Sequence, residues 1–220
     1  MTTIFNASPP LPGINGEPYY AGMNGFPGGS EMSATNCRSH MYGSVLSGGL
    51  GGHIYGAGDR APAGGAMWAG EVENVDKPHI WDAIKWPCGD QMRHLGTFVL
   101  SIGPAYRQLE PKVELLQPGK TRVKDFSGWD GCIGWAYCAR TPEKAHFLIY
   151  FETYCRRTVL AGAVPKAKYR AQWFDPRKGR WIDAGTLQSD ENGKITLPEF
   201  PGNLAKSDKD WALKLGIFRS

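Results

Sequence analysis

Two architectures in succession are predicted by this sequence: an α/β half built on parallel strands, then an antiparallel β-sandwich. Three observations carry the prediction. Glycine is densest between Gly43 and Gly70, among apolar residues spaced for helices and short strands. From residue 129 onward the pattern changes to strand-like alternation broken by hairpin turns. Between the two lies Leu-Glu-Pro-Lys-Val-Glu-Leu-Leu-Gln-Pro-Gly, residues 109–119, where Pro111 and the Pro118-Gly119 pair punctuate the chain. The domain boundary is placed there, giving residues 1–111 and 112–220.

In the first half, Ile14 ends a short apolar approach consistent with a strand that stops at Gly16. A helix is expected over 34–47, because Met41, Tyr42, Val45 and Leu46 fall on one face. Ser33 or Thr35 is available as its cap, and Gly48-Gly49 as its stop. The stretch Gly-Gly-His-Ile-Tyr-Gly-Ala-Gly from Gly51 reads as a short buried strand ending in a loop. A second helix is expected near Asp90 to Ile102, where Met92, Leu95, Val99 and Ile102 recur at spacings of three and four. Strand, helix, strand, helix is the repeating unit of a parallel α/β architecture.

In the second half, Phe147, Ile149 and Phe151 alternate with His146, Leu148 and Tyr150, which predicts a strand with one strongly apolar face. Tyr169 to Phe174 and Trp181 to Ala184 flank Asp-Pro-Arg-Lys-Gly-Arg, a hairpin loop by its Asp175-Pro176 and Lys178-Gly179 pairs. Asn192-Gly193 is a further turn, and Trp211 to Phe218 alternates again. Strands at this spacing without helices between them read as a small antiparallel sandwich.

Composition narrows the function. With 220 residues, 41% of them hydrophobic, the chain buries a sizeable core in one or two domains. The balance of 25 Lys+Arg against 21 Asp+Glu is only mildly positive and contains no long basic run, so nucleic acid is not implied as a partner. The opening residues carry no charged n-region followed by an apolar stretch, and no run is long enough to span a bilayer. The five cysteines, Cys37, Cys88, Cys132, Cys138 and Cys155, lack the paired short spacing of a zinc site and suit buried apolar positions. A Cys132–Cys138 or Cys138–Cys155 bridge stays open on spacing alone. No motif points to a metal or cofactor.

Glu17, in Asn15-Gly16-Glu17-Pro18, is the sharpest candidate for chemistry. A carboxylate at the carboxyl end of a parallel-barrel strand points into the mouth where such barrels place their active sites. The duller explanation is a turn with an exposed Glu. His53, Tyr55 and Trp68 lie in or after the second candidate strand, amid glycines that permit close approach of a ligand. Sugars suit such a pocket, since aromatic faces pack on their C–H surfaces while polar side chains meet their hydroxyls. Taken singly, His53 equally suits a satisfied core position, Tyr55 a packing role and Trp68 a loop anchor. Arg38, on the first helix, is an ordinary surface charge or turns toward the mouth to orient a carboxylate.

Other chemistries are excluded. The run Gly48-Gly49-Leu50-Gly51-Gly52 lacks the Gly-Lys-Ser/Thr ending of a P-loop, and its order of helix, glycines, strand reverses that of a dinucleotide site. Ser44 and Ser47 sit in a helix pattern and not in a Gly-x-Ser-x-Gly elbow. Trp129, Trp135, Trp173, Trp181 and Trp211 make the second half rich in indole. An exposed row of them would grip a polysaccharide, but alternation and the weight of aromatics in small cores place most of them inside.

Taken in order, these residues resemble the apiosidase-like glycoside hydrolases, (β/α)8-barrel proteins that often end in a collagen-binding-like β-sandwich. The resemblance rests on Asn15-Gly16-Glu17-Pro18, Tyr20, Arg38, Tyr42, Leu46-Ser47-Gly48, Gly52-His53-Ile54-Tyr55-Gly56, Trp68 and Gln91-Met92. In the terminal sandwich it rests on Trp173-Phe174-Asp175-Pro176-Arg177, Gly179, Leu197-Pro198 and Asp210-Trp211-Ala212-Leu213. It implies that Glu17 is the nucleophile of a retaining mechanism, on the seventh barrel strand, and that Tyr20, Arg38, His53, Tyr55 and Trp68 line a carbohydrate pocket. The family's acidic residue after Tyr20 is replaced here by Ala21, so one pocket carboxylate is missing.

Length departs further. An eight-stranded barrel needs about 250 residues, and about 110 precede the sandwich here, enough for the last two strand–helix units. The expectation is therefore a partial (β/α)8 barrel carrying the nucleophile without its acid/base partner, inactive alone, as a truncated product or one half of a split enzyme. Asp59, Glu71 and Glu73 follow the second strand, but nothing assigns them the acid's role. The resemblance implies a carbohydrate substrate, a separate chain supplying the rest of the barrel, and a secreted or periplasmic setting. The competing expectation is a non-catalytic protein whose sandwich binds polysaccharide or collagen.

Overall fold

The structure, a computed structural model, describes residues 1–9, 11, 13–16, 18–22, 28–56, 83–117 and 132–218. After a four-residue helix α1 (Thr2–Phe5), strand β1 (Ile14–Asn15) pairs in parallel with β2 (Gly52–His53) in register Ile14↔Gly52 and Asn15↔His53. The two strands are linked by helix α2 (Glu31–Leu46). That helix begins three residues earlier than its apolar face suggests, because Ser30 in extended conformation accepts a hydrogen bond from the Ser33 amide at 3.2 Å and caps it. Gly48 at φ +99° ends it, as expected. β2 is only half-buried, not the fully buried strand its composition suggests.

Helix α3 (Pro87–Val99) starts with proline in its first turn and buries Cys88, Gln91, His94, Leu95, Phe98 and Val99 on one face. The chain tightens into a 3₁₀ segment, Leu100–Gln108, kinked at Gly103, so the α-helix stops three residues short of the expected Ile102.

The second half is antiparallel. Its six-stranded sheet runs β3 (Glu110–Pro111), β5 (Ala136–Arg140), β6 (His146–Phe151), β11 (Trp211–Ile217), β8 (Lys168–Asp175), β9 (Arg180–Gln188). A three-stranded sheet runs β10 (Ile195–Thr196), β7 (Val159–Leu160), β4 (Leu116–Gln117). The period of two along β6 sorts its side chains between two cores. Phe147, Ile149 and Phe151 pack with Leu116, Leu160 and Ile195 of the smaller sheet. Leu148 and Tyr150 pack with Met41 and Tyr42 of α2 and Phe98 of α3. Both faces of β6 are therefore buried, where alternation alone predicts one, because the helices of the first half cover the second face.

The predicted turns form where expected. Asp175 accepts from the Arg177 amide at 2.9 Å through its side chain and from Gly179 at 2.8 Å through its carbonyl, closing the β8–β9 hairpin with Gly179 at φ +64°. Gly193 turns at φ +71° beside Asp190, whose carboxylate accepts from the Asn192 and Lys194 amides. All five cysteines are buried and free, so neither of the two conceivable bridges forms. The fold is mixed helix and sheet with mostly antiparallel pairing.

Candidate active site

Parallel pairing fixes the geometry here. Because β1 and β2 run the same way, the described residues that follow them, 16 and 18–22 after β1 and 54–56 after β2, emerge at one end of the pair. Gly51 donates to the Gly13 carbonyl at 2.9 Å and Ile54 to that of Asn15 at 3.2 Å, and beyond the strands Ala21 donates to Gly56 at 3.0 Å. The ring of Tyr20 fills the place that a Cβ at Gly56 would take, only 2.2 Å away, so no larger residue fits there. Helix α2 holds the first segment from behind. Tyr19 donates its amide to His40 Nδ1 at 3.3 Å, and Gly22 donates to Ser33 Oγ at 2.8 Å. Asn15 donates to Ser44 Oγ at 2.7 Å.

Of the expected site residues, Glu17 and Trp68 lie outside the described residues, as do Asp59, Glu71, Glu73 and Trp129. Tyr20, His53 and Tyr55 are brought to the same end of the strand pair. His53 is half-buried, and its Nδ1 is sealed from solvent without a hydrogen-bond partner among the described residues. Burial, with the nearby His40 adding to it, lowers its pKa to about 4, so the imidazole is neutral at pH 7. Burial and the Cys88 sulfur push the Tyr55 hydroxyl well above its ordinary range, and it stays protonated at 3.6 Å from Cys88 Sγ. The Cys88 thiol, hydrogen-bonded by Cys37, comes down to about 7. No sequence signal marks this Tyr55–Cys88 contact, since the two residues are 33 positions apart and meet only when α3 docks.

Arg38 does not turn toward this end, nor is it a surface charge. Its side chain is fully buried and bridges α2 to the start of β11: Nε donates to Asp210 Oδ2 at 2.7 Å and Nη2 to Asp210 Oδ1 at 2.9 Å. Its remaining donors reach Gln91 at 2.8 Å and Glu31 at 2.7 Å. Asp210 also accepts from Tyr150 at 2.9 Å and from Arg177 at 3.0 Å. Burial pushes the Asp210 carboxyl up, but the two guanidinium groups and the tyrosine outweigh it and hold it below the ordinary carboxylate value. Among the described residues, three of the indoles expected for a platform are taken up elsewhere. Trp173 and Trp211 are buried, and Trp181 is stacked on Phe98. Lys214 lies 4.2 Å from the centre of the Trp181 ring.

Comparison with known proteins bears on the fold. Two solved structures resemble the chain: a "Glycoside hydrolase" at TM-score 0.64 and 20% identity, and a glycoside hydrolase family 5 protein from Bacteroides vulgatus ATCC 8482 at TM-score 0.62 and 21% identity. Each comparison covers 96% of this chain but only 43% and 42% of the other, so the chain spans under half the length of the structures it matches. The fold is thus glycoside-hydrolase-like. Residues 1–104 match the family described as "Apiosidase-like, catalytic domain", and residues 134–216 match "Putative collagen-binding domain of a collagenase". The chain accordingly joins an apiosidase-like segment to a segment resembling that collagen-binding domain. No curated protein matches it.

Proposed function

We propose that this chain contributes the nucleophile to a retaining glycoside hydrolase, with Glu17 as the attacking carboxylate and Tyr20, His53, Tyr55 and Trp68 around the sugar. Residues 1–111 form two strand–helix units of a (β/α)8 barrel, and residues 112–220 form an accessory β-sandwich. The observation that carries this reading is the parallel register of β1 and β2. It brings residue 16, residues 18–22 and residues 53–56 to one end of the strands, where parallel α/β folds place their chemistry, and Glu17 adjoins them in the sequence. Glu17 attacks the anomeric carbon, a glycosyl–enzyme ester forms, and water releases the sugar. Neutral His53 and protonated Tyr55 serve as uncharged hydrogen-bonding groups to sugar hydroxyls. Arg38 is left out of the pocket because its donors are spent on Asp210, Gln91 and Glu31.

A retaining reaction needs a second carboxyl about 5 Å from the first to protonate the leaving oxygen. In this reading it comes from further strand–helix units that residues 1–111 do not contain. Mixing the chain with a polypeptide that supplies those units should yield glycosidase activity, and Glu17→Gln should abolish it. Undiminished turnover in that variant removes Glu17 from the reaction.

A further inference from the structure

Two buried thiols face each other where α2 meets the start of α3. Cys37, 2% exposed, lies in the middle of α2, and Cys88, 0% exposed, is the second residue of α3. Both belong to one small core with Tyr19, Ala21, Ala34 and Ala83, and their sulfurs are hydrogen-bonded to each other. Cys138 and Cys155 pack in a different core, between the two antiparallel sheets.

The pair is asymmetric. Cys37 carries one S–H proton and has two acceptors for it, the Tyr19 carbonyl at 3.8 Å and the Cys88 sulfur. Cys88 instead collects donors. The Cys37 thiol and the Tyr55 hydroxyl, at 3.6 Å, both serve its sulfur, and so does its own backbone amide, one of the N–H groups that a first helical turn leaves unpaired. Together these bonds outweigh burial and, with the Arg38 charge assisting, bring the Cys88 thiol down to about 7. The bond to Cys88, then burial, push Cys37 well above its ordinary range, and Cys132 acts on it in the same direction. Near pH 7 the pair therefore holds a thiolate on Cys88 against a thiol on Cys37.

A thiolate with a second sulfur in contact is the arrangement that an oxidant converts to a disulfide. We propose that Cys37 and Cys88 are a redox pair, in which a peroxide oxidises the Cys88 sulfur and Cys37 resolves it, giving a disulfide that latches α2 to α3. In the first step the Cys88 sulfur attacks one peroxide oxygen. The O–O bond breaks, an S–O bond forms, and the second oxygen leaves as water after taking a proton. The Cys37 sulfur then displaces the hydroxyl from Cys88: the S–S bond forms as the S–O bond breaks, and the hydroxide leaves with the Cys37 proton as a second water. In total two thiols give up two electrons and two protons, and one peroxide is reduced to two waters. The inference goes beyond the hydrolase reading and needs neither Glu17 nor a sugar.

The test treats the reduced full chain with hydrogen peroxide, a molecule scarcely larger than water and so suited to sealed sulfurs. The protein is then denatured, its remaining thiols are alkylated, and its peptides are mapped by mass spectrometry. The chain should lose two hydrogens, with the peptides of Cys37 and Cys88 joined and Cys138 and Cys155 still alkylated. Because the bridge closes a long loop, the thermal midpoint should rise by about 4–16 °C on oxidation and return on reduction. In Cys37→Ser the same treatment should add oxygen to the Cys88 peptide, whereas in Cys88→Ser the Cys37 sulfur should stay a thiol. The map and the midpoint of the unaltered chain stand whether or not either variant folds. A chain that keeps all its thiols, a bridge mapped to another pair, a bridge that leaves the midpoint unmoved, or oxidation of Cys37 in Cys88→Ser overturns the inference.

Discussion

Replacing Asp210 by Asn probes the buried junction between the two halves of the chain. The substitution keeps the shape and one carbonyl oxygen but removes the charge that Arg38 and Arg177 share. Arg177 retains Asp175 at 3.1 Å. Arg38, fully buried, is left with neutral Gln91 and with Glu31, whose side chain is 68% exposed and screened by water. Stranding a buried guanidinium in this way costs about 3–5 kcal/mol. For a chain of this size, where about 1 kcal/mol moves the midpoint by about 2–4 °C, the thermal midpoint should fall by roughly 6–20 °C. Arg38→Met should cost less, because Asp210 keeps Arg177 and Tyr150. The double variant Arg38→Met/Asp210→Leu should recover part of the loss, since replacing both charges by apolar groups leaves nothing stranded. Urea denaturation of the four proteins at pH 7 reads these differences directly. A loss under about 1 kcal/mol for Asp210→Asn, the size typical of a surface pair, would refute the argument that this network ties α2 to the sheet.

Three further outcomes follow from the same coordinates. Gly193→Ala should destabilise the chain by more than about 1 kcal/mol, because the position needs φ +71° and a Cβ would sit 2.3 Å from the Ala163 carbonyl oxygen; a neutral midpoint shift in differential scanning calorimetry counts against that turn. A thiol reagent should find the five cysteines slow to react in the native protein and all reactive in denaturant, with no change in intact mass on reduction; a mass gain of hydrogen on reduction would reveal a bridge. Stability should rise with pH from about 4 to 6.5. His53 titrates near 4 when folded against 6.5 when unfolded, so the unfolded chain binds the extra proton in that window. The contribution of Asp210 is full above the ordinary carboxylate value and is lost only as pH falls through its lowered folded value. His53→Gln should flatten the slope between about 4 and 6.5 in denaturation midpoints, and an unchanged slope would place the titration elsewhere.

Local chemistry made much of the second half legible. Asp175-Pro176 with Gly179 and the Asn192-Gly193 pair specify turns through side-chain hydrogen bonds and positive φ, and both occur where those residues stand. The α2 helix was legible over 34–47, from the apolar face of Met41 to Leu46, but its first three residues were not. Its first half buries Ser33, Asn36, Arg38 and Ser39, polar residues that carry no amphipathic signal because the helix is enclosed on several sides. Arg38 shows the limit of local reading most clearly. Its partner Asp210 lies 172 residues away, and no spacing rule connects an arginine on a helix to an aspartate before a distant strand. The gathering of Tyr20, His53 and Tyr55 was legible because strand ends are marked by glycine, and parallel strands place their ends together. The Tyr55–Cys88 contact depends on how α3 docks, which sequence periodicity does not encode.

The central claim is that Glu17 forms the covalent bond to the sugar. The most direct measurement is peptide mass spectrometry of the chain, assembled with a polypeptide supplying the remaining barrel units and treated with a fluorosugar that traps glycosyl–enzyme esters. The sugar mass should appear on the peptide containing Glu17 and vanish in Glu17→Gln. Hydrolysis with the trap on another carboxylate, or with no ester formed at all, would contradict the account.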